Sequence, residues 1–161
     1  MQMLIDTHDV DALAARFTGG AAVVERQIGQ AMTEAAIRVQ SGARDNVRND
    51  GKVDTGRLLN SITYEVRSNQ ATITAGSDGL TYAAAINNGR APGTMPPAGE
   101  LLPWMERKGI PAEAEYPIRL KILRRGTVGT QFMERAIEAA MPDINRYFNE
   151  AIGRATQELA G

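Results

Sequence analysis

The stretch VDTGRLLNSI, residues 53–62, decides the fold, because it links a predicted long helix to a predicted β-hairpin. It predicts a short helical turn that Asp54 or Thr55 caps, since both side chains can accept hydrogen bonds from free backbone amides. Gly56 permits a tight entry into that turn. Two apolar residues that follow are expected to hold the turn against the core. The residues assigned a structural role are Asp54, Thr55, Gly56, Leu58 and Ile62.

Asp-Thr-Gly is also the tripeptide that carries the catalytic aspartate of aspartic proteases. Such an enzyme needs two carboxylates that share one proton, ~3 Å apart. A chain of this length would supply one motif and dimerise for the second, within a mostly β domain. Here the approach to the motif, residues 46–53, is polar and follows a helical pattern, and Arg57 stands where a small residue is needed. We therefore interpret the tripeptide as structural.

Upstream of the motif, apolar residues recur every three or four positions from about residue 21 to residue 49, which predicts a long amphipathic helix. Gly51 is expected to end it in a left-handed conformation. A shorter helix is predicted over residues 9–17, with Asp9 as its N-cap. Residues 18–20, Thr-Gly-Gly, are expected to separate the two helices.

Downstream, apolar and polar residues alternate on both sides of Ser68-Asn69, which predicts two half-buried strands in a hairpin at about 61–76. Residues 82–89 are expected to form a short helix or an extended segment, and residues 90–98, RAPGTMPPA, an exposed loop. Two short helices should follow. Pro111 opens the second, and Pro117 either lies in its first turn or delays its start. A last helix is predicted from residue 131 to residue 159, kinked or broken at Pro142.

These elements predict an α+β fold, with long N-terminal and C-terminal helices packed on a small antiparallel β-sheet, together with short helices and a Pro/Gly-rich loop. We expect a single domain over residues 1–161. Residues 1–18 would form an N-terminal arm or short helix, and residues 19–161 the core.

The composition excludes several classes of function. The chain has 161 residues, 43% of them hydrophobic and 23% charged, as in soluble globular proteins. It has no cysteine and a single histidine, His8, so we predict no metal site, no cofactor and no catalytic residue. No apolar run approaches the ~20 residues of a membrane span. The first residues lack the basic segment of a signal peptide, which favours synthesis and use in the cytoplasm.

The ordered motifs resemble those of the tail-component family of tailed double-stranded-DNA phages. The family pattern (V/P)-D-T-G-x-L-x-x-S-I, followed by Y-A-x-x-x-x-x-G, matches residues 53–62 and 82–89. The pieces W-x-x-x-K-G-I and I-x-x-R-G-T, residues 104–110 and 122–127, are like those of a branch found in Mu-like prophages. The resemblance covers roughly residues 20–140. It departs from the family at Gln131, where many members have a proline before the phenylalanine.

The resemblance implies a structural virion protein without catalysis, in which subunits form a ring, usually sixfold, at the neck or upper tail. Its implied partners are further copies of itself, head connector or neck proteins, and tail terminator or tail tube proteins, with non-specific contact to DNA in the lumen. It would be made in the host cytoplasm and incorporated into the virion. A tail terminator or another minor tail component is the alternative, and a nucleic-acid-binding module is the alternative from another class.

Candidate sites are therefore interfaces. Residues 90–125 hold seven basic and four acidic residues, a local net charge of +3, which is weak for a nucleic-acid-binding surface. The basic residues expected to face the lumen or a partner are Arg119, Lys121, Arg124 and Arg125. The residues expected at the subunit interface are Arg90, Pro92, Thr94, Met95, Pro96, Pro97 and Trp104.

Overall fold

A computed structural model of the chain describes residues 8–67, 70–76 and 82–160, with side chains from residue 19 onward in these ranges. The fold is α+β as predicted, with long N-terminal and C-terminal helices and a small antiparallel sheet formed by β1 and β2. The predicted turn at Ser68-Asn69 lies outside the described residues. The elements are α1 His8–Asn49, α2 Arg57–Ser61, β1 Thr63–Arg67, β2 Gln70–Thr74, α3 Tyr82–Asn88, β3 Gly89–Arg90, α4 Leu102–Arg107, a 3₁₀ turn Ala112–Ala114, α5 Glu115–Arg125, β4 Thr127–Val128 and α6 Phe132–Ala160.

Helix α1 is continuous, so the predicted break at residues 18–20 is wrong. Asp9 is not the N-cap either, because the helix begins before it, at His8. A glycine inside a helix costs only about 0.5–1 kcal/mol relative to alanine, which packing can offset. A Cβ on Gly20 would lie 3.3 Å from Leu159 Cδ2, so the missing side chain suits a close approach of α6.

The end of α1 agrees with the prediction. Gly51 has a left-handed backbone conformation with φ of 64°. Its N–H donates to the carbonyl of Arg48, and the N–H of Lys52 donates to the carbonyl of Val47, both at 3.0 Å. These two bonds form a Schellman motif, which satisfies carbonyls that the end of a helix leaves free.

Helix α6 runs through Pro142 without interruption, so a break there is wrong, while a kink there stays a prediction. Proline removes one backbone hydrogen bond of a helix, but packing on both sides of it can hold the helix together. Ala140 and Ala151 are fully buried. Between them, Asp143 accepts a hydrogen bond at 2.7 Å from Nε of Arg38 in α1.

The described chain divides into two compact units, and the prediction of a single domain stays a prediction. Among the described residues, the first unit comprises residues 8–38, 65–67, 70–72 and 140–160. In it α1 and α6 lie antiparallel, because Arg26 pairs with Glu158 while Arg38 pairs with Asp143. Both ion pairs are partly exposed, so their main effect is to set the register of the two helices rather than to add much stability.

Among the described residues, the second unit comprises residues 39–64, 73–76 and 82–139. Leu58 and Ile62 are 3% and 0% exposed, so both side chains of the turn after the Asp-Thr-Gly motif lie in the core. The carbonyl of Ile62 accepts hydrogen bonds at 2.8 Å from Gln40 Nε2 and Arg44 Nη2. Other buried residues of this unit include Val39, Ala43, Val47, Ala83, Met105, Phe132 and Ala136.

The β1–β2 hairpin is present as predicted, but it is less buried than expected. Ala71 and Ile73 of β2 are half-buried and alternate with exposed residues, as predicted. Tyr64 of β1 is 37% exposed, so the prediction of a half-buried strand is wrong at that position. Ile62, on the same side of the chain, takes the core position immediately before β1 begins.

Candidate interaction surfaces

The Pro/Gly-rich segment is bound to α5 rather than standing free of it. The N–H of Gly93 donates to the carbonyl of Leu123 at 2.8 Å. Nε of Arg119 donates to the carbonyl of Pro96 at 2.7 Å. Pro96 is buried, whereas the sequence predicted an exposed loop throughout. The Pro/Gly-rich loop and α5, which were predicted as separate interfaces, therefore contact each other and form one surface.

Two short strands that were not predicted from the sequence join the start of the loop to the segment that follows α5. β3 pairs antiparallel with β4, with Gly89 opposite Val128 and Arg90 opposite Thr127. A Cβ on Gly89, Gly126 or Gly129 would come closer than 3.0 Å to the backbone of the facing segment. The two backbones can therefore approach only because these positions carry no side chain. We call residues 126–130 together with β3 the glycine clasp.

The predicted basic residues separate into two kinds. Arg119 is half-buried and its guanidinium is used by the loop, so it holds the surface together. Lys121, Arg124 and Arg125 are exposed on α5, and Arg90 is exposed on β3. Within residues 19–67, 70–76 and 82–160, the ion pairs at 4.0 Å or less involve none of these four exposed cations.

The predicted interface residues of the loop differ in exposure. Pro92, Thr94 and Pro97 are exposed, and Met95 is half-buried. Trp104 lies on α4 with 37% of its surface exposed, while the neighbouring Met105 fills the core. Trp104 is thus available to a partner, and its role at an interface stays a prediction.

The start of α6 is capped by a residue of α3, a contact that no local signal reveals. Gln131, which precedes the helix, has φ of 52°, a left-handed conformation. Asn87 is 9% exposed, and its Oδ1 accepts a hydrogen bond at 3.1 Å from the N–H of Met133. Its Nδ2 donates to the Glu134 carboxylate at 3.0 Å. This arrangement resembles a capping box with its cap supplied from 46 residues away in the sequence.

The Asp-Thr-Gly element precedes a short helical turn as predicted, but its side chains do not cap that turn. α2 begins after Gly56, whose φ is 77°, and no side chain caps it, so the capping role of Asp54 or Thr55 is wrong. Asp54 instead accepts two hydrogen bonds at 2.9 Å from Nε of Arg107, at the end of α4. This guanidinium lowers the pKa of the Asp54 carboxyl. It therefore favours the charged carboxylate, the opposite of a proton shared between two acids.

Large apolar side chains lie outside the core in both units. Of the fifteen buried apolar residues described, nine are alanine. The exposed large residues include Val128 of the glycine clasp, at 94%, and Ile137 of α6, at 44%. The small side chains allow helices to pack closely, and the large ones remain for contacts outside the chain. The other exposed large residues are Val24, Ile37, Val53, Tyr64, Tyr82, Leu102, Trp104, Tyr116, Met141, Ile152 and Leu159.

In residues 19–67, 70–76 and 82–160, no three His, Asp or Glu side chains converge as metal ligands would. None of the helices described is long and apolar enough to cross a membrane.

Comparison with known proteins agrees with the resemblance found in the motifs. Residues 11–89, just under half of the chain, match the family model described as "Bacteriophage HK97-gp10, putative tail-component". The class of protein that this match supports is a structural component of a bacteriophage tail, associated with the virion. The matched model is that of the HK97-gp10-like family, which confirms the resemblance recognised in the motifs. No curated protein and no solved structure matches the chain at a significant level.

Proposed function

We propose that this protein is a neck or tail-completion subunit that assembles with copies of itself into a ring and joins the phage tail to the head. The observation that carries the proposal is the match of residues 11–89 to the tail-component family. In this role the protein acts by binding its neighbours and performs no catalysis.

The distribution of apolar residues supports a subunit that works in an assembly. Alanine dominates the buried set, while Val128, Ile137 and Trp104 expose apolar surface that a partner could cover. Large exposed apolar side chains that form patches are typical of protein interaction sites. A ring of such subunits closes when the rotation between neighbours divides a full turn evenly.

The proposal is tested by removing the protein during phage growth. If it completes or joins tails, its loss should leave filled heads and tails of normal length that remain separate, and a supplied wild-type copy should restore whole particles. Electron microscopy of the lysate distinguishes these products. Normal infectious particles without the protein would refute the proposal.

A tail terminator is the second candidate, and the same experiment separates it from the first. A terminator stops polymerisation of the tail tube, so its loss should yield tubes of irregular length. Labelling the protein in purified virions, for example with an antibody and gold, would place it at the neck or along the tail.

A nucleic-acid-binding module is the candidate from another class, based on the exposed cations of α5 and β3. Binding through phosphate contacts releases counterions and is therefore strongly salt-dependent. Absence of duplex binding at low salt by the purified chain would remove this candidate.

A further inference from the structure

The glycine clasp presents a rigid apolar side chain beside two cations. Val128, at 94% exposed, is held by its pairing with Gly89. The N–H groups of Thr130 and Gln131 donate to carbonyls of α3 at 2.9 and 2.8 Å, which fixes the following residues. Arg124 and Arg125 directly precede the clasp and are exposed. We call Val128, Arg124 and Arg125 the clasp surface.

A rigid surface loses little conformational entropy when it binds, so a preformed contact is favoured over one that must first be ordered. The Val128 side chain is not buried in its own chain, so it adds no hydrophobic stabilisation to the fold. Its exposed side chain contributes to binding only if a partner supplies an apolar contact, and the flanking arginines then favour carboxylates around that contact.

The same chain carries a surface with the complementary chemistry. Glu134, Ile137 and Glu138 lie at positions i, i+3 and i+4 of α6, which places them on one face of the helix. All three are exposed. The Glu134 carboxylate accepts hydrogen bonds at 3.0 Å from Asn87 Nδ2, and no Lys or Arg of the described residues forms an ion pair with either glutamate. Arg135, the cation between them in sequence, is paired with Asp50. We call Glu134, Ile137 and Glu138 the acidic stripe.

We propose that the clasp surface of one copy of this chain docks on the acidic stripe of another copy. Val128 contacts Ile137, and Arg124 and Arg125 pair with Glu134 and Glu138. The inference rests on the proposed function, because it names the contact by which ring subunits associate. A second copy fits better than duplex DNA, since DNA phosphates offer no partner for Val128 and the chain as a whole has a net charge of −1.

The experiment measures self-association of the purified full chain over a concentration series, by sedimentation velocity and native mass spectrometry. Arg125→Glu and Glu138→Lys should each weaken association by about tenfold or more, because like charges then face each other. An equimolar mixture of the two variants should associate again, since each altered contact becomes complementary. The double variant carrying both changes should also associate.

Two controls separate this contact from general effects. Lys52→Glu makes the same charge change at an exposed lysine outside both surfaces and should leave association unchanged. Thermal unfolding of each variant should match the wild type, because the altered side chains are exposed. Val128→Asp should weaken association as well, because it places a charge in the apolar contact.

The inference is overturned if the wild-type chain is monomeric throughout, or if the variants associate normally, or if their mixture fails to recover. It is overturned in favour of nucleic acid if Arg125→Glu abolishes binding of a short DNA duplex while self-association is unchanged. The role in joining tails to heads is decided separately by the loss-of-protein experiment, so failure of this contact and failure of that role can be told apart.

Discussion

Substitution of Ile62 by alanine tests the central claim that the segment after the Asp-Thr-Gly motif is anchored in the core. Ile62 is fully buried in the second unit. The change removes three carbon groups, and the lost transfer free energy is about 0.8 kcal/mol for each. The cavity that remains adds a further cost, so the free energy of unfolding should fall by about 2–5 kcal/mol.

The backbone of Ile62 should keep its contacts in this variant, because Gln40 and Arg44 bind its carbonyl and not its side chain. The loss therefore measures packing alone. Ile62→Val removes a single carbon group and should cost about 0.5–1.5 kcal/mol, which gives a graded series at one site. Val128→Ala is the matched control at an exposed β-branched residue and should change stability by no more than about 0.5 kcal/mol.

Urea unfolding followed by circular dichroism measures these differences, provided that the slope with denaturant is the same for each variant. A loss below about 1 kcal/mol for Ile62→Ala would contradict the reasoning, since a fully buried side chain cannot be truncated at so low a cost. An equal loss of unfolding free energy for Val128→Ala would also contradict the reasoning, because an exposed side chain should contribute little to stability.

Three further predictions follow from single contacts. Asn87→Ala removes the cap of α6, so unfolding should become about 0.5–2 kcal/mol easier in the same urea assay; unchanged stability would show that the cap is dispensable. Gly126→Ala should lower the thermal midpoint strongly because the new Cβ meets the backbone of β3, whereas Gly153→Ala, in open space on α6, should raise it slightly. Arg107→Gln should raise the pKa of Asp54 towards its ordinary value of 3.8, which NMR titration measures. The wild-type ion pair stabilises the fold above that pH, and this stabilisation is lost as the pH falls through the lowered pKa. The variant lacks the pair and should therefore lose less stability in acid than the wild type.

The sequence predicted those parts of the fold that depend on neighbouring residues. The periodic apolar residues of α1 and α6 identified two long helices, and alternation identified the β1–β2 hairpin. Gly51 and Gly109 end their helices with left-handed backbones, as a glycine at those positions indicates. Each of these signals acts within a few residues, so it can be read without knowledge of the rest of the chain.

Two local signals misled because packing outweighed them. Residues 18–20 carry two glycines and Pro142 lies inside α6, yet both helices continue. A glycine or a proline raises the free energy of a helix by a finite amount, and contacts such as that of Gly20 with α6 can offset it. The size of the offset depends on which side chains meet, and the sequence alone does not specify this.

The candidate surfaces were predicted as residue types but not as an arrangement. Arg90 and the basic residues of α5 were identified from local charge, and their role at an interface stays a prediction. The structure added that Arg119 holds the loop through Pro96, and that Arg124 and Arg125 stand beside the glycine clasp. The two kinds of arginine differ in exposure. The guanidinium of Arg119 is bound within the chain and is less available to a partner than those of Arg124 and Arg125.

By itself the sequence determined the α+β class, the order of the helices and the resemblance to the tail-component family, since periodicity and short motifs are properties of the chain read in order. Only the tertiary structure decided that β3 and β4 pair, that Asn87 caps α6, and that Asp54 binds Arg107 instead of capping α2. These contacts join residues about 40 to 50 positions apart. They depend on which backbone and polar groups the folded chain brings together. Asn87 is buried and must find its partners inside the protein, whereas Asp54 and Arg107 meet at the surface.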